Sequence, residues 1–115
     1  MKREDNVKED DKRMNKKIYT INEIKQILKK ILENMPVYSV VLFGSYAKNA
    51  ATANSDLDLV IDTKEQLMGF KLYSLITKIE EEFHKNVDAF EKSEIIENSK
   101  IDKEIKKTGV VVYEK

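Results

Sequence analysis

The feature that most limits how this chain can fold is the alternation of charged and apolar residues from Asp56 to Ile61. The segment reads Asp-Leu-Asp-Leu-Val-Ile, and a period of two residues is typical of a strand whose side chains point alternately to its two faces. Asp56 and Asp58 then share one face, and the leucines share the other. We therefore predict a strand that buries its leucines in a core and presents two carboxylates on the opposite side.

A second predicted strand ends at a glycine. The run from Val37 to Phe43 is short, rich in β-branched residues and bounded by Pro36 and Gly44, which favours a buried strand. Gly44 has no side chain, so backbone N–H groups at the start of a short helix predicted from Tyr46 to Ala51 can approach a phosphate closely. Ser45 adds a hydroxyl donor, and it is also suited to cap that helix, a role compatible with phosphate binding.

The remaining elements are read from helical spacing, capping residues and short apolar runs. Three longer helices are predicted: Thr20 to Asn34, Glu65 to about Lys85, and Ser99 to Gly109. Met68 is predicted on the inner, apolar stripe of the second. Two more strands are predicted, Asn86 to Phe90 and Val110 to Tyr113, and the first of them carries a third acid, Asp88. The order of elements predicts the α+β class, with helices packed on a small mixed sheet.

The length and the charge pattern bound the domain organisation. At 115 residues with 41% apolar residues the chain can bury one core. Residues 1–17 are mostly charged and cannot bury enough surface to offset the entropy of ordering. We predict a charged, flexible tail over 1–17 and a single domain over 18–115.

Composition excludes several classes of protein. Lysine and arginine number 21, as do aspartate and glutamate, so no overall field draws the chain to nucleic acid or to a membrane surface. The longest apolar run, Val40 to Phe43, is far too short to span a bilayer. Cysteine is absent, which excludes disulfides and thiolate metal sites and fits a reducing compartment. We expect a cytoplasmic protein with no membrane or direct nucleic-acid partner.

The spacing between the glycine and the acids matches a known signature. Gly44-Ser45 is followed by ten residues and then by Asp56-Leu57-Asp58, with strand context on both sides and Asp88 after a helix. This pattern resembles the DNA polymerase beta-like nucleotidyltransferase superfamily, and the short chain looks like its minimal type. The resemblance extends more loosely from the helix at Thr20 to the end of the chain, and it implies that superfamily's fold.

Two aspartates two residues apart on a strand lie roughly 6.5–7 Å apart at Cα, which lets both carboxylates reach metal ions held between them. Hard oxygen ligands favour Mg²⁺, and two such ions can hold the attacking and leaving oxygens of an in-line displacement at phosphorus. The resemblance implies that Asp56 and Asp58 are catalytic residues that bind both metals. It implies that Asp88 ligates the metal nearest the acceptor and accepts its proton.

Two positions depart from the family pattern, and some alternatives stay open. The usual arginine is Lys48, which can counter a triphosphate as a point charge without a bidentate grip, or can be merely solvated. The usual glycine is Asn49, which tolerates the left-handed region and so preserves a turn. A solvated surface role is also open for Asp88, because Asp62 is available as a third acid, and His84 is interpreted as a surface residue at a helix end.

The resemblance also implies a function. Minimal nucleotidyltransferases are commonly antitoxins that transfer AMP from ATP to a tyrosine hydroxyl of a HEPN-class ribonuclease toxin. On this hypothesis Gly44, Ser45 and Lys48 bind the nucleoside triphosphate, and the partner brings the acceptor. Two alternatives remain: an antitoxin that acts by binding alone, and a nucleotidyltransferase acting on a small molecule. The base, the acceptor, the number of nucleotides transferred and the oligomeric state are not fixed by the sequence.

Overall fold

The computed structural model describes residues 16–115, along which helices and strands alternate. The helices are α1 (Ile21–Leu32), α2 (Gly44–Ala47), α3 (Phe70–Phe83) and α4 (Lys100–Thr108), with a 3-10 turn at Lys92–Glu94. The strands are β1 (Ser39–Phe43), β2 (Leu57–Asp62), β3 (Val87–Glu91) and β4 (Val110–Glu114). Of the predicted tail, residues 1–15 lie outside the described residues, so the boundary at residue 18 stays a prediction.

The described strands form one sheet in the order β3-β2-β1-β4. β1 is antiparallel to β2 and to β4, whereas β2 and β3 are parallel and are connected through α3. A parallel pair needs such a crossover because its strands begin at the same edge of the sheet. The mixed sheet with its helices confirms the predicted α+β class.

One face of the sheet packs against α1 and α3. Leu57, Leu59 and Ile61 are fully buried there, as the alternation predicted. The helices contribute apolar side chains at helical spacing to the same core, from α1 Ile24, Leu28, Ile31 and Leu32, and from α3 Leu72, Leu75, Ile79 and Phe83. Asp58 alternates with these leucines and lies on the opposite face, where α4 packs against β1 and α2.

The predicted start of α1 is confirmed in atomic detail. The hydroxyl of Thr20 accepts a hydrogen bond from the backbone N–H of Glu23 at 3.0 Å, and the Glu23 carboxylate accepts one from the Thr20 N–H at 2.9 Å. Next to this capping box, the Tyr19 hydroxyl donates to the carbonyl of Phe83 at 2.8 Å, and the two rings meet edge to face. The start of α1 is thereby attached to the end of α3.

The predicted start of α3 at Glu65 is wrong, because the helix begins at Phe70. The buried carboxylate of Glu91 accepts hydrogen bonds from the backbone and hydroxyl of Thr63, both at 2.9 Å, and from the backbone N–H of Glu65 at 3.2 Å. Lys64 and Glu65 adopt positive φ, which a right-handed helix does not allow. A contact between distant parts of the chain therefore turns this segment before the helix begins.

The same turn changes which side chains are buried. Met68 was predicted on the inner stripe but is 38% exposed, and Leu67 is buried instead.

The short helix α2 also differs from its prediction, since it covers Gly44–Ala47 and not Tyr46 to Ala51. None of the helices found within residues 16–115 is long and apolar enough to span a membrane.

Candidate active site

Asp58 lies near the beginning of β2, in the middle of the sheet. Its neighbours across the two ladders are Phe43, the last residue of β1, and Asp88, the second residue of β3. Backbone pairing on both sides fixes the position of this residue. The parallel register brings two of the three predicted acids to directly opposed positions.

Gly44 follows β1 and allows the backbone to approach Asp58. Its φ of +75° lies in the left-handed region, where residues with a side chain are strained. A Cβ at this position would also overlap with Oδ2 of Asp58. The conformation and the space therefore both favour glycine, and the turn at Gly44 lies directly against the Asp58 carboxylate.

Like charges surround Asp58. Burial, followed by the negative charges of Asp88, Asp56 and Glu104, raises the pKa of its carboxyl from an ordinary 3.8 to about 6. Each of these influences favours the protonated form. A cation placed among these groups would therefore be strongly favoured.

Asp56 lies just before β2, so its position is not set by the strand ladder in the same way. It is exposed, and the following residue, Leu57, donates its backbone N–H to the carbonyl of Asn86 at 3.1 Å. Lys85 is nearby and only 4% exposed. Burial lowers the pKa of Lys85, and the negative charge of Asp56 opposes that effect.

Lys48 forms an ion pair, a contact that the sequence did not predict. Lys48 lies at the C-terminal end of α2. Its Nζ is 3.1 Å from Oε2 of Glu104, which belongs to α4. Glu104 is therefore a fourth acid at the site, since it also acts on Asp58. Sequence reasoning missed it because its position on an amphipathic helix is typical of a solvated residue, and only the packing of α4 shows otherwise.

Ser45 and Asn49 shape the turn around α2. The carbonyl of Ser45 accepts a hydrogen bond from the N–H of Ala50 at 2.9 Å, and Asn49 adopts a φ of 59°, the left-handed conformation expected of it. The capping role suggested for Ser45 is not found, because α2 begins at Gly44, two residues before the predicted start, and Phe43 occupies the cap position. The hydroxyl of Ser45 is thus not used as a helix cap.

Asp62 and His84 do not join the cluster of acids. Asp62 ends β2, opposite Ser39, where it accepts a hydrogen bond from the N–H of Lys64 at 3.0 Å. His84 is exposed and terminates α3 in the left-handed conformation, as its interpretation as a helix-end surface residue expects. Of the candidates for the third acid, the register favours Asp88.

The donor chemistry fits a hard divalent cation such as Mg²⁺. Within residues 16–115, no three acidic, histidine or cysteine side chains are gathered closely enough to form a ready-made metal site. Asp56 and Asp88 are nevertheless close enough to raise the pKa of Asp58, and both are exposed. The two exposed side chains would have to turn toward Asp58 before the three carboxylates could share one metal ion.

The sequence of this chain matches a known family of proteins. The family model described as "Polymerase beta, Nucleotidyltransferase" matches residues 22–115. A protein of Methanocaldococcus jannaschii named "Putative protein adenylyltransferase" is 38% identical over 80 residues, which cover 66% of this chain and 82% of the relative.

Solved structures show the same fold at lower identity. A chain of a toxin-antitoxin crystal structure with AMP-PNP has a TM-score of 0.66 and 19% identity, covering 79% of this chain and 73% of that chain. A chain from the complex of tri-AMPylated Shewanella oneidensis HEPN toxin with MNT antitoxin has a TM-score of 0.62 and 18% identity, covering 84% and 74%. The shared fold agrees with the family match over residues 22–115, and the chain therefore belongs to the polymerase beta nucleotidyltransferase family.

Proposed function

We propose that this nucleotidyltransferase is a magnesium-dependent protein adenylyltransferase that transfers AMP from ATP to a tyrosine hydroxyl of a HEPN-type toxin, and that it acts in the cytoplasm as the antitoxin. The observation that carries the proposal is the half-buried Asp58, flanked by Asp56 and Asp88 and pressed against the turn at Gly44. Such a cluster of carboxylates is costly unless a cation binds it.

The kind of reaction is supported by the named relative. The Methanocaldococcus jannaschii protein carries the name of an adenylyltransferase acting on protein, and it matches this chain over 82% of its own length. The partner is supported by the similar folds, which come from toxin-antitoxin complexes, one with AMP-PNP and one with an AMPylated HEPN toxin.

Asp56, Asp58 and Asp88 are the proposed metal ligands, and two ions are expected. Bound magnesium would supply the positive charge that holds the triphosphate and neutralises the leaving pyrophosphate. Asp58 is held by two ladders, so it provides the fixed ligand. Asp56 and Asp88 are exposed and can turn toward it.

Gly44, Ser45 and Lys48 are the proposed triphosphate-binding residues. The backbone at Gly44 approaches closely, and the Ser45 hydroxyl is not used as a helix cap. Because α2 has only four residues, its dipole contributes little, and individual N–H and O–H donors provide the binding. Lys48 adds positive charge once the phosphates compete with Glu104 for it.

In the proposed reaction the tyrosine oxygen attacks the α-phosphorus of ATP. A bond forms between that oxygen and phosphorus, the bond from phosphorus to the bridging oxygen breaks, and pyrophosphate leaves. The phenolic proton passes to the carboxylate of Asp88, which is exposed on the edge strand β3. An acceptor on a partner protein can therefore approach from this edge of the sheet.

The test uses the purified chain, Mg-ATP and a HEPN-type protein from the same organism, with intact mass as the measurement. We expect the partner to gain one or more adenylyl groups, and Asp56→Asn and Asp58→Asn to abolish the gain. Asp62→Asn is the matched control, because Asp62 lies on the same strand but at its other end, and asparagine can still accept the Lys64 hydrogen bond.

Two results would contradict the proposal. A partner that is neutralised without gaining mass indicates an antitoxin that acts by binding alone. A mass gain that survives Asp58→Asn shows that these acids do not carry the reaction.

A further inference from the structure

Lys85 connects the loop that precedes β2 to the segment that begins β3. We propose that Lys85 is a positioning residue for Asp56: its ammonium fastens the loop of residues 50–56 to the start of β3 and so sets Asp56 relative to Asp88. The inference rests on the proposed function in taking Asp56 as a metal ligand. The fastening of the loop is a property of the protein alone.

The burial of Lys85 is unusual for its residue type. Lysine side chains are almost never fully buried unless they are paired, and Lys85, which is only 4% exposed, has such a partner in the loop. Its Nζ donates a hydrogen bond to the backbone carbonyl of Ala53 at 3.0 Å, across 32 positions of sequence. A buried ammonium that bonds to a distant loop carbonyl resists displacement, because separating them leaves both groups without that bond.

The end of α3 directs this side chain inward. His84 takes the left-handed conformation with a φ of 54° and ends the helix. The next residue therefore leaves the helical path and extends beneath the loop, while His84 itself stays exposed. The third residue after His84, Val87, begins β3, so Lys85 is closely tied to the strand that carries Asp88.

The three acids differ in how the backbone holds them. Asp58 and Asp88 are paired with each other within the sheet. Asp56 precedes β2, so it has no partner in the sheet register. The nearest backbone attachment is the hydrogen bond from the N–H of the next residue, Leu57, to the carbonyl of Asn86. The loop contact made by Lys85 is therefore a second attachment for Asp56.

The loop is compact, so one attachment can position all of it. The N–H of Thr52 donates to the hydroxyl of Ser55 at 2.8 Å, and the N–H of Ser55 donates to the carbonyl of Thr52 at 3.0 Å. A cavity of about 150 Å³ separates part of this loop from the end of α3, and it is lined by residues 53–56 and 84–86 together with Lys16. Ala53 and Lys85 both line this cavity, so their hydrogen bond joins its two walls.

The test compares Lys85→Met, which keeps the length of the side chain without the ammonium, with Lys85→Arg, which keeps the charge. Lys78→Met is the matched control, because Lys78 is an exposed lysine on α3. Binding of a nonhydrolysable ATP analogue is measured against Mg²⁺ concentration, and amide hydrogen exchange is measured in metal-free protein. We expect Lys85→Met to raise the Mg²⁺ midpoint about 10-fold, as loss of a residue supporting a metal ligand commonly does. Lys85→Arg should recover part of that loss.

The exchange measurement tests the fastening independently of the metal. We expect the Thr52 and Ser55 amides to exchange several-fold faster in Lys85→Met, while the amides of α1 stay unchanged. Unchanged exchange and an unchanged Mg²⁺ midpoint in Lys85→Met would overturn the inference. Faster exchange everywhere would overturn it too, since Lys85 would then support the whole fold. If the unaltered protein shows no Mg²⁺-dependent binding, the proposed function fails, and the exchange result alone decides whether Lys85 fastens the loop.

Discussion

The parallel pair of strands β2 and β3 carries a buried or half-buried carboxylate at each end, and the two are held in opposite ways. Near the beginning of the pair, burial and the negative charges of other acids raise the pKa of Asp58 to about 6. At the other end, burial would raise the pKa of Glu91, but hydrogen bonds from Ser93 and Thr63 outweigh it and hold that pKa at about 2.

The difference lies in the neighbours and not in the sheet. Glu91 accepts hydrogen bonds from N–H and O–H donors that the chain itself supplies, so its charged form is stable without a bound ligand. These bonds stabilise the turn before α3. Asp58 is surrounded by groups that disfavour its charge. A carboxylate whose neighbours satisfy it serves structure, whereas one whose neighbours oppose it is suited to a ligand.

The largest difference between Asp58 and Glu91 is expected in the rate of nucleotide transfer. Asp58→Asn should lower nucleotide transfer by about 10³-fold or more, because it removes the central negative charge of the proposed metal site. The same change should leave the free energy of unfolding equal or slightly higher, because a repelled carboxylate is lost. Transfer rates and urea unfolding of the same variant measure both. Strong destabilisation by Asp58→Asn would break the comparison.

Glu91→Ala should act in the reverse direction. It leaves the N–H groups of Thr63, Glu65 and Ser93 without their acceptor, and we expect a loss of about 3 kcal/mol in the free energy of unfolding. Urea denaturation measures the loss, and Glu97→Ala, a change of an exposed acid shortly after the same turn, serves as the control. A loss in Glu91→Ala no greater than in the control would contradict the structural role.

The pH dependence of stability should separate the two groups. The pKa of Glu91 lies below its ordinary 4.5, so its contribution is present above that value and is lost as pH falls toward 2, with a size on the order of 2–3 kcal/mol. The pKa of Asp58 is raised, so its ionisation lowers stability as pH rises from about 4 to 6. Unfolding from pH 2 to 8 in the unaltered protein, Glu91→Gln and Asp58→Asn checks both directions. Magnesium binding should increase through pH 6, and a flat profile would count against the raised pKa.

The smallest effect is expected at Glu104. Glu104→Gln removes one of the charges that act on Asp58, so the rise of magnesium binding with pH should move to slightly lower pH, by less than about half a unit. It also frees Lys48, whose ion pair is partly exposed and contributes about 0–1 kcal/mol. Lys103→Gln, an exposed neighbour on α4, is the control. A shift toward higher pH in Glu104→Gln would show that Glu104 does not act on Asp58 through its charge.

Local patterns predicted the parts of the molecule that local physics determines. The capping box at Thr20, the strand predicted from Asp56 and observed from Leu57, and the end of α4 at Gly109 follow from residues close in sequence. The start of α3 was not predictable in this way, because Glu91, 26 positions beyond Glu65, supplies the acceptor that turns the chain there.

The candidate site divides similarly. The alternation predicted the position of Asp58, and the register with β3 placed Asp88 opposite it. Neither Lys85 beneath the loop nor Glu104 beside Lys48 has a sequence signal, since each depends on how separate elements pack. The neighbours that tune the acids are visible only in the structure.

The contact between Gly44 and Asp58 has a consequence for inheritance. A side chain at position 44 would displace the carboxylate at position 58 from where it lies, so we expect changes at the two positions to depend on each other. In a lineage that has already replaced Asp58 with a smaller residue, alanine at position 44 meets only backbone strain, and its harm is largely masked. Loss of the acid thus opens a route for loss of the glycine, and once both are gone, an acid restored alone cannot take its original position. Decay of this site is therefore easier to enter than to reverse.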